Sequence, residues 1–312
     1  MRNKILFGIV VLLVPFVVIS FKKDKTNFYL DEKKVKDQNI VVRIKDAKTN
    51  NIVEMNLEEY LIGVVAAEMP ALFHEEALKA QAVAARSYAL YKINNTSKNY
   101  DLVTDVTNQS YITIDEMKSK WNSDFEKYYQ KISQCVKDTK DEVIYYNNEI
   151  IEAFYFSMSN GYTEESSLVF KESEPYLISV KSTWDNENIN GFFKEVVMNK
   201  NEFCQKLNIP CDNLIINDVE RSSSNRVNKI IINNVEFIGT DVRKKLDLRS
   251  TDFNITISND NVVISTYGYG HGVGMSQYGA NGMAKEGYKY KDILKHYYVN
   301  TEISKIWVYK NK

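Results

Sequence analysis

Cysteine and histidine are scarce, with three of each in 312 residues. Cys135, Cys204 and Cys211 form no CxxC pair and no Cys/His cluster, so a structural zinc site lacks its ligands. A local bridge between Cys204 and Cys211 stays open outside the cell, and the odd count leaves at least one thiol free. A basic excess is missing too. The formal net charge is −1, and no basic stripe interleaved with aromatics runs along the chain, which argues against a nucleic-acid binder. No GxxxxGK[ST] phosphate loop and no GxSxG nucleophile elbow occur. Internal repeats and low-complexity blocks are absent as well. The remaining composition, 44% hydrophobic and 26% charged, is that of a folded protein with length for one large domain or two modest ones. The 21 tyrosines suit an extended polymer cleft, but composition alone favours ordinary core and strand positions.

One long apolar run stands near the start. Ile5 to Phe21 follows Met1-Arg2-Asn3-Lys4 and is just long enough for a membrane-spanning helix. Pro15 inside it is better tolerated in lipid than in water. No small-x-small cleavage site ends the run, which favours a retained anchor over a cleaved signal peptide. Residues 1–21 then form a cytoplasmic start and a transmembrane helix, 22–38 a charged tether, and 39–312 an extracytoplasmic domain. Lysines 22, 23 and 25 lie beyond the run and Arg2 and Lys4 before it, so charge alone does not orient it. With no second span, a large exported domain is the simplest topology.

The rest alternates helices and strands. Strands are expected at Asn39 to Ile44 and Ile52 to Leu57. A helix capped by Asn56 runs to the vicinity of Ala67 and stops before Pro70. A second, rich in alanine, covers Glu75 to Ile93, where small side chains on every face predict a central position. Glu116 to Val136 reads as one long amphipathic helix. Asn147-Asn148 marks a hairpin between Glu142–Tyr146 and Glu149–Phe156. Short strands follow at Leu214 to Val219, Arg226 to Ile232, Asn254 to Ser258 and Val262 to Thr266, with a helix near Thr240 to Leu246. A helix at Lys291 to Tyr298 and a strand at Lys305 to Tyr309 close the chain. The order predicts an α+β fold, with a helical lobe around Glu68 and a strand-rich lobe behind it.

Three segments hold candidate chemistry. Glu68, in Ala66-Ala67-Glu68-Met69-Pro70, is the only charge between Glu59 and His74. Desolvation there would raise its pKa towards that of a general acid, although a glutamate at a helix end is as readily a solvated one. Arg86, in the alanine-rich helix, needs an acidic partner if buried, and Glu68 is a candidate. The second segment, Ser157 to Thr163 with Ser179 to Asp185, gathers hydroxyls, an amide, Lys181 and Trp184, which suit sugar binding or an ordinary polar loop. The third, Gly268 to Ala280, has glycines at alternate positions, permitting unusual dihedrals and close backbone approach. His271 with Ser276 suggests a serine hydrolase only weakly, and His74 and His296 offer no better base.

The motifs AAEMP…QAVAARSYAL and GHGVGMSQYGA, in this order, resemble the stage II sporulation protein D family, whose domain also occurs in proteins described as amidase enhancers. The resemblance implies a lytic transglycosylase that cuts septal peptidoglycan between N-acetylmuramic acid and N-acetylglucosamine during forespore engulfment. It places the catalytic glutamate at Glu68 and functional basic residues at Arg86 and Lys181, which either orient Glu68 or bind muramoyl carboxylates. It places cleft residues at Ser157, Ser159, Asn160 and Thr163, and at His271, Ser276, Gln277 and Tyr278. It implies no cofactor, and partners in stage II sporulation proteins P and M. Some members bind zinc after the alanine-rich helix, but here Asp101 to Gln109 has neither cysteine nor histidine, so no metal is carried over. The alternative is a non-catalytic wall-binding module that enhances a partner amidase.

Overall fold

The structure, a computed structural model, describes residues 40–306 apart from 106 and 171. The expected anchor and tether, and most of the last expected strand, lie outside the described residues. No helix among those described is long and apolar enough to cross a membrane.

The fold is α+β, built on two apolar clusters. The first opens with β1 (Val41–Lys45) and β2 (Ile52–Asn56), paired antiparallel, with β3 (Leu102–Val103) parallel on the other side of β1. Helix α1 (Leu57–Glu68) starts where the Asn56 side chain accepts from the Glu58 and Glu59 N–H groups, and ends two residues before Pro70. Helix α2 (Glu75–Asn95) runs through the middle of this cluster. Ala77, Ala80, Ala82, Ala84, Ala85 and Ala89 are fully buried, because α2 is enclosed by other elements. Small side chains let all of them approach closely.

The single helix expected at 116–136 is two: α3 (Ile114–Trp121) and α4 (Phe125–Asp138). Asn122 between them has φ 47° and ψ −117°, a positive-φ conformation that no α-helix can continue through. The hairpin of β4 (Glu142–Tyr146) and β5 (Glu149–Ile150) turns on Asn147 and Asn148, both at positive φ, as a two-residue turn requires. Its second strand stops early. β6 (Tyr155–Phe156) instead pairs with β13 (Met275–Ser276) in a separate parallel ladder.

The second cluster is strand-rich. β7 (Phe193–Asn199) pairs with β12 (Asn261–Tyr267), which pairs with β11 (Phe253–Ser258). β8 (Ile216–Arg221), β9 (Val227–Ile232) and β10 (Val235–Ile238) form a second sheet. Helices α5 (Lys200–Leu207) and α6 (Gly239–Leu246) contribute Phe203, Leu207, Val242 and Leu246 to its core. Cys204 and Cys211 are disulfide-bonded, tying α5 to the segment after it, while Cys135 is a buried free thiol. The chain then returns to the first cluster through α7 (Gln277–Lys285), α8 (Tyr290–Tyr297) and β14 (Glu302–Lys305), which pairs with β4.

Candidate active site

Glu68 is the last residue of α1, and its carboxylate is held from two sides. The Ser110 backbone N–H donates to Oε1 at 2.8 Å, and the Gln277 side-chain amide donates to Oε2 at 3.2 Å. Burial raises the pKa of Glu68, and the bonds from Ser110 and Gln277 pull it partly back. The negative end of the α1 dipole acts in the same direction as burial. The result is a carboxyl group oriented as a carboxylate yet easier to protonate than a solvated glutamate.

The loop carrying Ser110 is pinned to α1 and α2. Gln109 accepts from the Tyr60 hydroxyl at 3.2 Å and donates to the Ala85 carbonyl at 3.2 Å. Tyr111 stacks on Tyr60 with ring centroids 5.6 Å apart. Gly63 permits this, since a Cβ there would lie 2.2 Å from the Tyr111 ring. The phenols of Tyr60 and Tyr155 are buried and near enough to feel the charge of Glu68.

On the other side, the segment after α1 is held in place by Lys131, which donates to the Ala71 carbonyl at 3.0 Å and the Phe73 carbonyl at 2.6 Å. The Tyr278 ring meets Phe73 edge-on at 4.9 Å, and the Tyr278 N–H donates to the half-buried Ser157 at its carbonyl. Helix α7 begins with Ser276 as its N-cap, accepting from the Gly279 N–H at 3.1 Å. Gln277 is its first residue and looks back at Glu68.

The remaining candidate residues divide by what they touch. Arg86 is fully buried, and its partner is Glu58, at 2.7 and 2.8 Å, with further bonds to the Glu142 and Val136 carbonyls. The pairing with Glu68 expected from sequence is therefore corrected: α1 offers Arg86 an acid from its first turn instead of its last. Lys181 is exposed, and its carbonyl accepts from His296 Nε2 at 2.7 Å. Ser159 and Ser276 both point at Asp185, their hydroxyls donating to Oδ2 at 2.6 and 2.9 Å. Ser182 adds a third hydroxyl at 2.8 Å, itself bonded to the Tyr297 hydroxyl at 2.8 Å. Burial pushes Asp185 up to about 6, against these hydroxyl bonds.

Thr163 is buried between the Ile178 carbonyl and the Val180 N–H. Asn160 donates to the Ser224 carbonyl at 2.7 Å and to Asp252 at 2.8 Å. The His271 ring lies among Phe154, Phe156 and Phe170, and its Nδ1 accepts from the Val273 N–H at 3.1 Å. Desolvation, with Arg243 and Arg226 adding to it, lowers its pKa to about 3, so it is neutral at physiological pH. The alternating glycines make room for the protein's own groups. A Cβ on Gly272 would strike the Arg226 guanidinium, and one on Gly274 (φ 78°) would lie 2.0 Å from the Phe154 carbonyl oxygen.

Sequence reasoning missed Ser110, Gln109 and Asp185. Ser110 acts through its backbone, which no side-chain pattern reveals. Asp185 lies in the polar segment already singled out, and its signal was the three serines that need an acceptor. Among the described residues no group of three or more histidine, cysteine or acidic side chains is arranged to hold a metal.

The profile of a stage II sporulation protein family matches residues 45–146, from β1 through the Glu68 helix to the end of β4. Stage II sporulation protein D of Bacillus subtilis is 40% identical over 269 residues, covering 84% of this chain and 78% of that protein. The protein of the same name from Bacillus amyloliquefaciens is 39% identical over 280 residues, 88% of this chain and 81% of its own length. A more distant relative, the amidase enhancer of Bacillus subtilis, is 30% identical over 300 residues but is matched over only 40% of its length. The chain that places Glu68 between Ser110 and Gln277 belongs to the stage II sporulation protein D family.

Proposed function

We propose that this protein is a lytic transglycosylase of sporulation cell-wall remodelling, with Glu68 as its single acid and base. The observation that carries the reading is the state of Glu68: half-buried, raised in pKa, and aimed by two N–H donors. A hydrolytic glycosidase usually needs two carboxylates flanking the bond. The fully buried acids of the motif segments are committed elsewhere: Asp185 to Ser159, Ser182 and Ser276, and Glu164 to Ser222 and Ser224. A one-acid mechanism suits such a site.

Protonated Glu68 gives its proton to the glycosidic oxygen between N-acetylmuramic acid and N-acetylglucosamine, and that C1–O bond breaks. The resulting carboxylate takes the proton from the muramic C6 hydroxyl as its oxygen closes on C1, so the product ends in a 1,6-anhydro ring and no water is consumed. The Ser110 and Gln277 donors stabilise the carboxylate form, while burial keeps the protonated form accessible. Lys181, exposed, can meet a muramoyl carboxylate directly; Arg86, sealed against Glu58, supports the helix that carries Glu68.

The Cys204–Cys211 disulfide supports an exported domain, since such bonds persist in oxidising compartments. In this reading residues 5–21 anchor the domain, which works in the septal wall beside stage II sporulation proteins P and M. The relative named amidase enhancer supports a second reading, in which the domain binds wall and stimulates a partner amidase without cutting glycan. Incubating purified protein with peptide-free glycan strands separates the two. Wild type shortens the strands and Glu68→Gln does not; intact strands, together with a stimulated partner amidase, would favour the enhancer.

A further inference from the structure

The bond from Gln277 to Glu68 depends on where α7 begins, and that point is fixed from outside the catalytic residues. Ser276 Oγ has one proton and donates it to Asp185, at 2.9 Å to Oδ2 and 3.1 Å to Oδ1. The same oxygen accepts from the Gly279 N–H and so caps the helix whose first residue is Gln277. Asp185 is 3% exposed and takes two more hydroxyl donors, Ser159 and Ser182. Ser182 is in turn bonded to Tyr297 on α8. The first turn of α7 also presses directly on this knot. A Cβ on Gly279 would lie 2.2 Å from the Tyr297 hydroxyl, 2.5 Å from Ser182 Oγ and 2.9 Å from Asp185 Oδ2.

We propose that Asp185 is a positioning residue for Glu68, locking the cap serine of α7 and through it the Gln277 amide that holds Glu68 Oε2. The inference deepens the reading of Glu68 as the acid of the reaction, and rests on it for its functional meaning. Asp185 touches no reacting atom in this scheme. The donors around it fit an ionised carboxylate, because all three hydroxyls point inward. The other titratable or charged groups facing it are the Tyr297 phenol and, at longer range, the Arg226 guanidinium.

The test reads the titration of Glu68 itself, in purified full-length protein carrying carbon-13 at the glutamate carboxyl carbons, with Glu68→Gln identifying the signal. Gln277→Ala removes a donor to the carboxylate and should move the Glu68 midpoint up by about 0.5–1. Asp185→Asn should also move it up, by loosening Gln277. A purely electrostatic influence of Asp185 would have the opposite sign, since losing a nearby negative charge lowers the pKa of an acid. The double variant should match Gln277→Ala alone, as two changes on one path do. An unmoved or lowered midpoint in Asp185→Asn, or shifts that add in the double variant, would overturn the proposal. If Asp185→Asn does not fold, Ser276→Gly cuts the same link at a position where glycine is tolerated as a cap, and carries the same expectations. Glycan cleavage is measured in parallel. Absence of cleavage by wild type sinks the transglycosylase reading and leaves the positioning result to stand or fall by the titration.

Discussion

Arg86 forms a two-pronged ion pair with Glu58, at 2.7 and 2.8 Å, and so ties the middle of α2 to the first turn of α1. The same guanidinium reaches the carbonyls of Val136 at the end of α4 and Glu142 at the start of β4, so one cation joins four elements. Removing one partner of a fully buried pair typically costs about 3–5 kcal/mol, and the cost here should be lower because the Glu58 side chain is 24% exposed. Arg86→Ala is expected to lower the denaturant midpoint by a corresponding amount. Any activity lost should follow the fraction unfolded. A variant of wild-type stability that is nonetheless inactive would show that Arg86 acts on the substrate instead.

Arg86 thus has a structural role that its sequence position does not disclose. The helix α2 was legible because alanine at every face has few other uses, and α1 because Asn56 and Pro70 bracket it. The hairpin was legible from two asparagines able to take positive φ. The break between α3 and α4 was not, because Trp121, Phe125 and Tyr128 keep helical spacing across a single positive-φ Asn122. Helix α7 was hidden by its glycines: Gly279 and Gly282 lie inside it, pressed against Tyr297 and Trp184, where a sequence reader sees a loop. Glu68 stood out as a lone charge among apolar neighbours. Its donors did not, since Ser110 serves through its backbone and Gln277 comes from 209 residues away.

Gly63 is the tightest point between α1 and the Ser110 loop, with the Tyr111 ring 2.2 Å and the Ile112 carbonyl 2.8 Å from where a Cβ would stand. Gly63→Ala should push that loop outward and lengthen the Ser110 bond to Glu68. Cleavage is expected to fall by about tenfold or more, given that misplacing a group by about 1 Å can cost about 10²-fold. Equal activities of Gly63→Ala and wild type would show that the loop does not hold the acid.

Asp185 carries a pH signature. An acid whose folded pKa is raised from 3.8 to about 6 contributes stability that is present below the lower value and lost as pH rises through the upper one. The size is about 3 kcal/mol across that window. Chemical denaturation from pH 3.5 to 7 should therefore show wild type losing stability relative to Asp185→Asn as pH rises, whatever their constant offset. Parallel curves would mean that Asp185 titrates at its ordinary value.

His271 has the opposite sign. Its folded pKa is lowered to about 3, so its contribution is present above the ordinary histidine value of 6.5 and is lost as pH falls towards 3. His271→Gln should flatten the acid limb of the stability curve. The pH–rate profile of glycan cleavage by the wild-type protein, expected under the proposed function, should show no ionisation attributable to this imidazole near 6.5. A limb there that vanishes in His271→Gln would make the ring a participant in proton transfer.

If Glu68 alone carries the proton through an intramolecular ring closure, the mass of the new chain end records it. Peptide-free glycan strands are cut in water enriched in oxygen-18, and the muramic termini are weighed by mass spectrometry. Ring closure gives 1,6-anhydro ends, lighter than a reducing end by the mass of one water and free of oxygen-18, with none formed by Glu68→Gln. Reducing ends labelled with oxygen-18 would contradict it, showing that water and a second base complete the reaction.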